Sequence, residues 1–352
     1  MRDPFREGLA AGWQYIDASE LTADKELEAD VVVVGSGAGG GVTAELLTRA
    51  GLKVLIIEEG PLRTTRDFQM KEAEAYPQLY QESASRKTAD KAINILQGRC
   101  VGGSTTVNWT SSFRTPPTTL NWWQSAHGLK SLSVEAMAPW FLMMERRLNV
   151  SRWSHDPNEN NAALARGATK LGIPIEVIPR NVKGCWNLGY CGMGCPTNAK
   201  QSMLLTTIPN SLFLGAMLVS RLRAERLEIS GNQIKSLKCV ALKVDGLNTS
   251  GINVTVRARH FVLAGGAINS PAMLLRSKAP DPHSLLGKRT FLHPTLVSSG
   301  LFEQAINGYS GAPQSIYSDH FLDNVPVNGP LGFKLEVPPL HPVLFSTTLQ
   351  GF

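Results

Sequence analysis

Residues 35–40 read Gly-Ser-Gly-Ala-Gly-Gly and follow directly on four consecutive valines, residues 31–34. The three motif glycines have different physical tasks. Gly35 permits a tight turn, Gly37 lets backbone approach a pyrophosphate, and Gly40 lets a helix pack close to a strand. The helix that follows offers unpaired N–H groups and the positive end of its dipole to phosphate oxygens. Glu58 stands just after the next apolar run. A carboxylate there accepts hydrogen bonds from ribose hydroxyls and disfavours a 2′-phosphate. Glu59 is the neighbouring candidate, but the apolar run stops at Ile57, which points to Glu58. The chemistry implied is dinucleotide binding, and this loop by itself does not choose between a flavin and a nicotinamide.

A second glycine cluster carries that choice. Residues 98–108 read Gly-Arg-Cys-Val-Gly-Gly-Ser-Thr-Thr-Val-Asn. Adjacent glycines, Gly102 and Gly103, followed by Ser104 and two threonines, let backbone amides lie against a flat ring or a phosphate. Arg99 adds a fixed cation. A nicotinamide dehydrogenase has no need of such a loop at this distance, which weakens an NAD(P)-dependent reading.

The elements that must hold these loops are legible around them. Residues 31–34 form a β-branched run of the kind found in a parallel strand buried on both faces. Residues 41–50 read as a helix ended by Gly51, and residues 53–57 as a second strand, completing a βαβ unit of the expected size. Residues 68–92 look helical or irregular, and helical patches recur over 121–150 and 158–171. Strand-like segments return at 217–229, 234–244, 253–257 and 260–264. A helix follows over 270–276. Beyond Pro280 the chain is rich in Pro, Gly and short apolar runs, which suits antiparallel sheet.

Composition sets the outer bounds. The 352 residues are 43% hydrophobic and 18% charged, which is ordinary globular chemistry and excludes wholesale disorder. The length predicts two domains at roughly 150 residues each. The net charge is +6, with no run of five like charges and no basic stripe, so nucleic acid is not an expected partner. Residues 1–30 lack an apolar core and a cleavage site, and no apolar stretch is long enough to span a bilayer. The expected location is cytoplasmic, with peripheral membrane association left open. Five cysteines in a chain this long do not make a disulfide scaffold. Cys100 and Cys239 stand alone. Cys185, Cys191 and Cys195, with Pro196 after them, match iron–sulfur spacing, but the full tetrad of thiols is absent, which favours reduced cysteines packing a tight glycine turn and no metal.

Three blocks together resemble the glucose–methanol–choline (GMC) family of FAD-dependent oxidoreductases. They are the Gly35 loop with Glu58, the 98–108 loop, and residues 266–277, Gly-Ala-Ile-Asn-Ser-Pro-Ala-Met-Leu-Leu-Arg-Ser. The third block resembles the family's second signature, although Lys278 departs from its usual end. Residues 260–266 resemble the late strand where the chain returns to the FAD domain, and 286–294 resemble the segment after it. The resemblance implies an α/β fold: a discontinuous FAD-binding Rossmann-like domain around a parallel sheet, and an α+β substrate domain with antiparallel sheet. The expected division is an N-terminal extension over 1–28, an FAD domain over 29–120 and 215–285, and a substrate domain over 121–214 and 286–352.

The resemblance also implies roles. The FAD pyrophosphate would lie on Gly35, Gly37 and Gly40 and its ribose on Glu58. The flavin would lie near Gly102, Gly103, Ser104 and Asn108, with Gly98 and Arg99 of the same loop also contacting the cofactor. The adenine would lean on the strand near Ala224, with Ala264 and Gly265 at the returning strand. Some members attach FAD through a His just before the Asn; Val107 stands there, so a non-covalent flavin is expected. Members pass hydride from an alcohol to flavin N5 and its proton to a His paired with His or Asn near their C-terminus. Nothing in residues 331–352 resembles that closing block, His341 is a lone His–Pro, and none of His127, His155, His260, His283, His293 and His320 falls on that position. The catalytic residues are therefore unassigned, and the C-terminal part of the family fold is expected to be missing. The Cys–Gly block tilts the substrate towards a long-chain alcohol or sterol, with Trp109, Phe113, Trp122, Trp123, Met143 and Met144 available for a pocket. Three readings stay open: an alcohol oxidoreductase, a catalytically inactive FAD-binding remnant or split half that needs a companion C-terminal polypeptide, and an NAD(P)-dependent dehydrogenase. Oxygen, quinone and cytochrome are all open as electron acceptors.

Overall fold

A computed structural model describes residues 2–293, 295–322 and 332–346. The expectations for Pro294 and for residues 331 and 347–352 lie outside the described residues. The chain divides into two compact units. The first comprises residues 1–107, 193–198 and 202–295, and the second residues 108–192, 199–201 and 296–352.

The first unit is built on a seven-stranded sheet. Its strands are β1 (Gln14–Asp17), β2 (Lys25–Val34), β3 (Val54–Ile57), β4 (Met217–Ser220), β5 (Leu222–Ser230), β6 (Gln233–Leu242) and β7 (Thr249–Leu263). Their order is β1-β4-β3-β2-β7-β6-β5. The pairs from β1 to β7 are parallel, and β6 and β5 add an antiparallel edge. The valine run lies at the centre, with Val32 and Val33 fully buried and every residue of β3 buried. Branched side chains fit a sheet covered on both faces, and each Val, Leu or Ile so buried stabilises by about 1.5–3 kcal/mol. The core continues through Leu222, Leu237, Ala241, Val254 and Val256 to Met273.

Helix α1 (Ala38–Arg49) connects β2 to β3. It packs against α2 (Thr207–Phe213), where Asn210 Nδ2 donates to the buried Glu45 carboxylate at 2.6 Å. Helix α3 (Gly266–Arg276) follows β7 directly.

Two strand expectations are corrected. The segment 217–229 is two strands rather than one, because β4 lies inside the sheet and β5 at its far edge. Arg221 makes the corner with a left-handed φ of 51°, its guanidinium ion-paired with Asp17 and its N–H donating to Gly60 O. Conversely, 253–257 and 260–264 are parts of one strand, β7. It pairs with β6 from Thr249 to Val256 and with β2 from Val254 to Leu263.

The second unit carries helices Pro117–His127, Val134–Arg147 and Glu159–Lys170. The last two begin on side-chain caps: Ser133 accepts from Ala136 N–H and Asn158 from Asn161 N–H. Its antiparallel sheet is small, with strands Leu335–Glu336, Ile316–Ser318 and Glu176–Val177 in that order, beside a separate pair, Val150–Arg152 with Pro179–Asn181. The described residues between Lys278 and Ser315 hold no helix or strand, so the antiparallel character expected there is confined to short pieces. No helix among the described residues is long and apolar enough to cross a membrane.

Candidate dinucleotide site

The last residues of β2, β3 and β7 (Val34, Ile57 and Leu263) open onto one cleft of about 990 Å³, wholly within the first unit. The carboxyl ends of parallel strands are where open α/β sheets bind ligands, and this volume is at the upper end of the ~300–1,000 Å³ typical of ligand pockets.

The glycine loop is shaped by close approach. Gly35 leaves β2 with φ at 101°, and a Cβ on it would stand 2.5 Å from Ala264 O. A Cβ on Gly40 would stand 1.9 Å from Gly35 O, so the first turn of α1 rests directly on the loop. Gly37 is the N-cap of α1 and makes no side-chain cap bond, which leaves the first-turn N–H groups without a side-chain partner. Gly37, Ala38 and Gly39 line the cleft. The second glycine loop meets the first here: a Cβ on Gly103 would lie 2.8 Å from Gly37 Cα. Gly98, Arg99, Gly103, Ser104 and Thr105 line the same cleft, and Ser104 Oγ accepts from Gly98 N–H at 2.9 Å.

Ser36 ties the two loops to the acid. Its hydroxyl donates to Glu58 Oε2 at 2.6 Å and accepts from Gly102 N–H at 2.9 Å. The Ser36 N–H also reaches Glu58 Oε2 and the Gly60 N–H reaches Oε1, each at 3.0 Å. Glu58 is therefore both a cleft residue and the knot that orients the loops. Burial pushes its carboxyl above the usual range, against the pull of the bonds from Ser36 and Gly60. Between the ordinary value of 4.5 and the raised one, the native state holds more protons than the unfolded chain. Stability from this group is thus full below pH 4.5 and falls as pH rises. Glu58→Gln should flatten that fall. Denaturant melts of the two proteins across pH would converge at the acid end and separate above it; parallel profiles would contradict this account.

Beside Glu58 is a charged network. Glu59 Oε1 accepts from Arg99 Nε at 3.1 Å and from Arg223 Nε at 3.0 Å. The buried Arg99 also donates through Nη2 to Gly246 O. Ala224 lines this end of the cleft next to Arg223. The opposite wall is the start of α3. Gly265 caps that helix without a side-chain bond, Gly265 N–H donates to Ser270 Oγ at 3.0 Å, and Ala264, Gly265, Asn269 and Ser270 face the cleft.

Of the residues singled out in sequence, Gly35, Gly37, Glu58, Gly98, Arg99, Gly103, Ser104, Ala224, Ala264 and Gly265 come together along this cleft. Gly40 and Gly102 do not line it and act from behind, through the contact with Gly35 and the bond to Ser36. Asn108 lies in the second unit, where its carbonyl accepts from Lys200 Nζ at 2.6 Å. Val107 is buried and has no atom that bonds covalently to a flavin.

The cleft also contains residues that sequence reading missed. Tyr80, Gln81, Glu82, Ser83, Arg86 and Gln97 form a wall with no motif to announce it. Glu82, Ser83 and Ala84 are left-handed in succession, with φ of 51°, 54° and 64°. Arg86 braces this turn through Glu82 at 2.9 Å and Gln97 at 3.0 Å. Non-glycine residues rarely hold that conformation unless their surroundings impose it, and such turns concentrate at binding sites.

The cysteine block resolves differently. Among the described residues no group of three or more His, Cys, Asp or Glu is placed to hold a metal. Cys191 Sγ accepts from Arg180 Nη2 at 3.5 Å and its carbonyl from Lys200 Nζ at 2.7 Å. Arg180, fully buried against the Trp153 ring, also donates to Thr110 Oγ1 and Trp109 O. Two cations thus clamp residues 108–110, including left-handed Thr110, onto Cys191. Of the candidate pocket residues, Phe113 packs edge-on to Tyr317 under Lys334, Trp122 packs on His127, and Met143 is exposed. His341 is buried against Tyr190.

The donors present fit a dinucleotide. Two helix N-termini without side-chain caps face one cleft, and the backbone of Gly103 approaches Gly37 so closely that a Cβ on Gly103 would collide with it. Comparison with known proteins agrees. The GMC oxidoreductase profile matches residues 76–295, and an NAD(P)-binding Rossmann-like domain profile matches residues 33–62, the βαβ unit. The chain is 31% identical over 290 residues to long-chain-alcohol oxidase FAO4B of Arabidopsis thaliana, covering 81% of this chain and 38% of that protein. It is 32% identical over 312 residues to an uncharacterised GMC-type oxidoreductase of Mycobacterium tuberculosis, covering 87% and 48%. The chain therefore spans less than half the length of these relatives. Among solved structures, pyridoxine 4-oxidase from Mesorbium loti shares the fold, with a TM-score of 0.54 at 20% identity, over 71% of this chain and 52% of that one. The cofactor that this cleft and this kinship indicate is FAD. With the profile spanning well over half of its residues and each signature block placed on one cleft, the chain belongs to the GMC oxidoreductase family.

Proposed function

We propose that this chain is the FAD-holding part of an alcohol oxidase that acts on a long-chain, apolar alcohol and passes electrons to oxygen. The observation that carries the reading is the convergence of three separate glycine-bearing blocks on one cleft at the carboxyl ends of β2, β3 and β7. The names of the long-chain-alcohol oxidases to which the chain is similar support the substrate class. In this reading the first unit is the flavin domain and the second contributes to the substrate domain. FAD, when bound, supplies the hydride acceptor at N5. The chain's own residues position it non-covalently. The N-terminus of α1 faces the pyrophosphate at Gly35 and Gly37, Glu58 takes the adenosine ribose, Ala224 borders the adenine, and Gly103 and Ser104 with Ala264 and Gly265 border the flavin. Oxidation of the alcohol to an aldehyde also releases a proton, and no residue is assigned to receive it.

A second reading has an observation of its own: no histidine is among the described residues that line the cleft. The chain would then hold FAD without turning over. General base catalysis contributes typically ~10²–10⁴-fold, so its absence would be plain. The two are separated by purifying the 352-residue chain, recording its visible spectrum and adding a fatty alcohol without air. Bound yellow flavin that bleaches supports the oxidase. Bound flavin that stays oxidised supports the second reading, and a chain that takes up no flavin overturns both. Faster bleaching by glucose or choline than by a fatty alcohol would overturn the substrate class.

A further inference from the structure

We infer that one face of the small three-stranded sheet in the second unit is a receptor for an alkylated ammonium ion, a place that Lys334 fills with its own side chain. The register builds this face. Tyr317, in the middle strand, stands opposite Glu336 on one side and Glu176 on the other, so the three side chains point the same way. The period of two adds Asp319, two residues after Tyr317, and Lys334, two residues before Glu336. Phe113 comes from outside the sheet and packs edge-on to Tyr317, with ring centroids 5.0 Å apart. The two rings make a corner, and an ammonium already sits in it. Lys334 Nζ lies 3.5 Å from the Phe113 centroid and 4.2 Å from that of Tyr317. Asp319 and Glu336 face the same nitrogen at 3.3 Å and 3.7 Å. Tyr317 OH donates to Glu176 at 2.8 Å.

Two ring faces with carboxylates beside them are the means by which proteins recognise alkylated ammonium groups. Burial, then the bond to Glu176 and the charges of Glu176, Asp319 and Glu336, push the Tyr317 phenol above its usual range. Its ring therefore stays neutral and keeps its negative face for a cation. Three carboxylates around one ammonium are more than a lysine needs for pairing. Lys334 is also the weaker occupant. Its ammonium is a compact, strongly hydrated charge on a flexible stem, so leaving the corner for water costs it little. Water is close, since Phe113 is 44% exposed and the Lys334 side chain 20%. A trimethylammonium group brings the same charge, is less hydrated, and lays methyl groups on both rings. It should displace the lysine and keep the attraction of the carboxylates. Every residue of this corner belongs to the second unit, so the inference is independent of the dinucleotide cleft.

The test measures binding and needs neither flavin nor turnover. Tetramethylammonium is titrated by calorimetry into the 352-residue chain and into Lys334→Ala, with tert-butanol as an uncharged probe of similar size. The unaltered chain should bind the cation weakly, because the lysine competes. Lys334→Ala should bind it about tenfold more tightly or better, because the occupant is gone while rings and carboxylates remain. Adding Phe113→Leu to Lys334→Ala should lose about tenfold again, the worth of one desolvated ring face. If Lys334→Ala does not fold, ring resonances of Tyr317 in the unaltered chain give the same answer: tetramethylammonium should shift them, and Phe113→Leu should abolish the shift. Vesicles of phosphatidylcholine distinguish the sources of the group: retention of the chain on them assigns a lipid headgroup, and binding of the free ion alone assigns a soluble ligand. No binding by folded Lys334→Ala, binding indifferent to Phe113→Leu, or equal affinity for tert-butanol would each overturn the inference.

Discussion

Replacing Gly37 by aspartate should leave a folded protein that no longer holds FAD. The position is open: a Cβ there would meet nothing nearer than Gly103 Cα, at 3.8 Å. Its backbone has no left-handed requirement, with φ at −68°. The fold therefore has no steric reason to object. The cofactor does. Aspartate would be an admirable N-cap in isolation, because it would satisfy the first-turn N–H groups of α1. Those are the groups that face the cleft, so the new carboxylate would take the phosphate's place and repel it. Like charges set side by side cost several kcal/mol, and each ~1.4 kcal/mol is tenfold in affinity, so the loss should be about 10²-fold or more. Thermal unfolding in the absence of cofactor should be near that of the unaltered chain, while flavin absorbance after purification should vanish. Retained flavin would remove the pyrophosphate from Gly37 and with it the orientation of the whole cofactor.

Gly40→Ala should fail in the opposite way, through the fold. The added Cβ would lie 1.9 Å from Gly35 O, a backbone atom with no rotamer in which to retreat. Either α1 lifts from the sheet or the loop gives up its turn. Overpacking of this kind typically costs ~1–3 kcal/mol and more where backbone must move. We expect about 3 kcal/mol, read as a lower denaturant midpoint, together with weaker flavin binding. The pair of substitutions makes the distinction sharp, because residues three apart in one motif would lose the same cofactor for different reasons. A Gly40→Ala protein with unchanged midpoint would show that the close approach of helix to loop is not needed.

The motif residues were legible because their constraints are local. A turn, a helix start and a strand end within one βαβ unit are fixed by neighbours in sequence, and glycine spacing records where backbone must come close. The same holds for the 98–108 loop and for the start of α3, each of which is a short segment with its own backbone demand. What sequence alone did not reveal are the bonds that join these segments. Ser36 sits at an unremarked motif position, yet its hydroxyl links Glu58 to Gly102, 22 and 66 residues away. Glu59 was passed over in favour of Glu58, because nothing local tells that Arg99 and Arg223 come to it from 40 and 164 residues away. The break at Arg221 escaped for a related reason: both flanking runs are good strand sequence, and only the sheet order requires a corner between them. The glycine turn around Cys191 was legible, but not that the structure would make it the seat of a clamp formed by Arg180 and Lys200, which come from other segments. Sequence determined the glycine loop and the elements beside it, since those depend on backbone freedom and burial along a continuous stretch. The charged cluster of Glu59, Arg99 and Arg223, the left-handed wall over Glu82–Ala84 and the turn between β4 and β5 were decided by tertiary structure, since each depends on which distant side chain arrives as a partner.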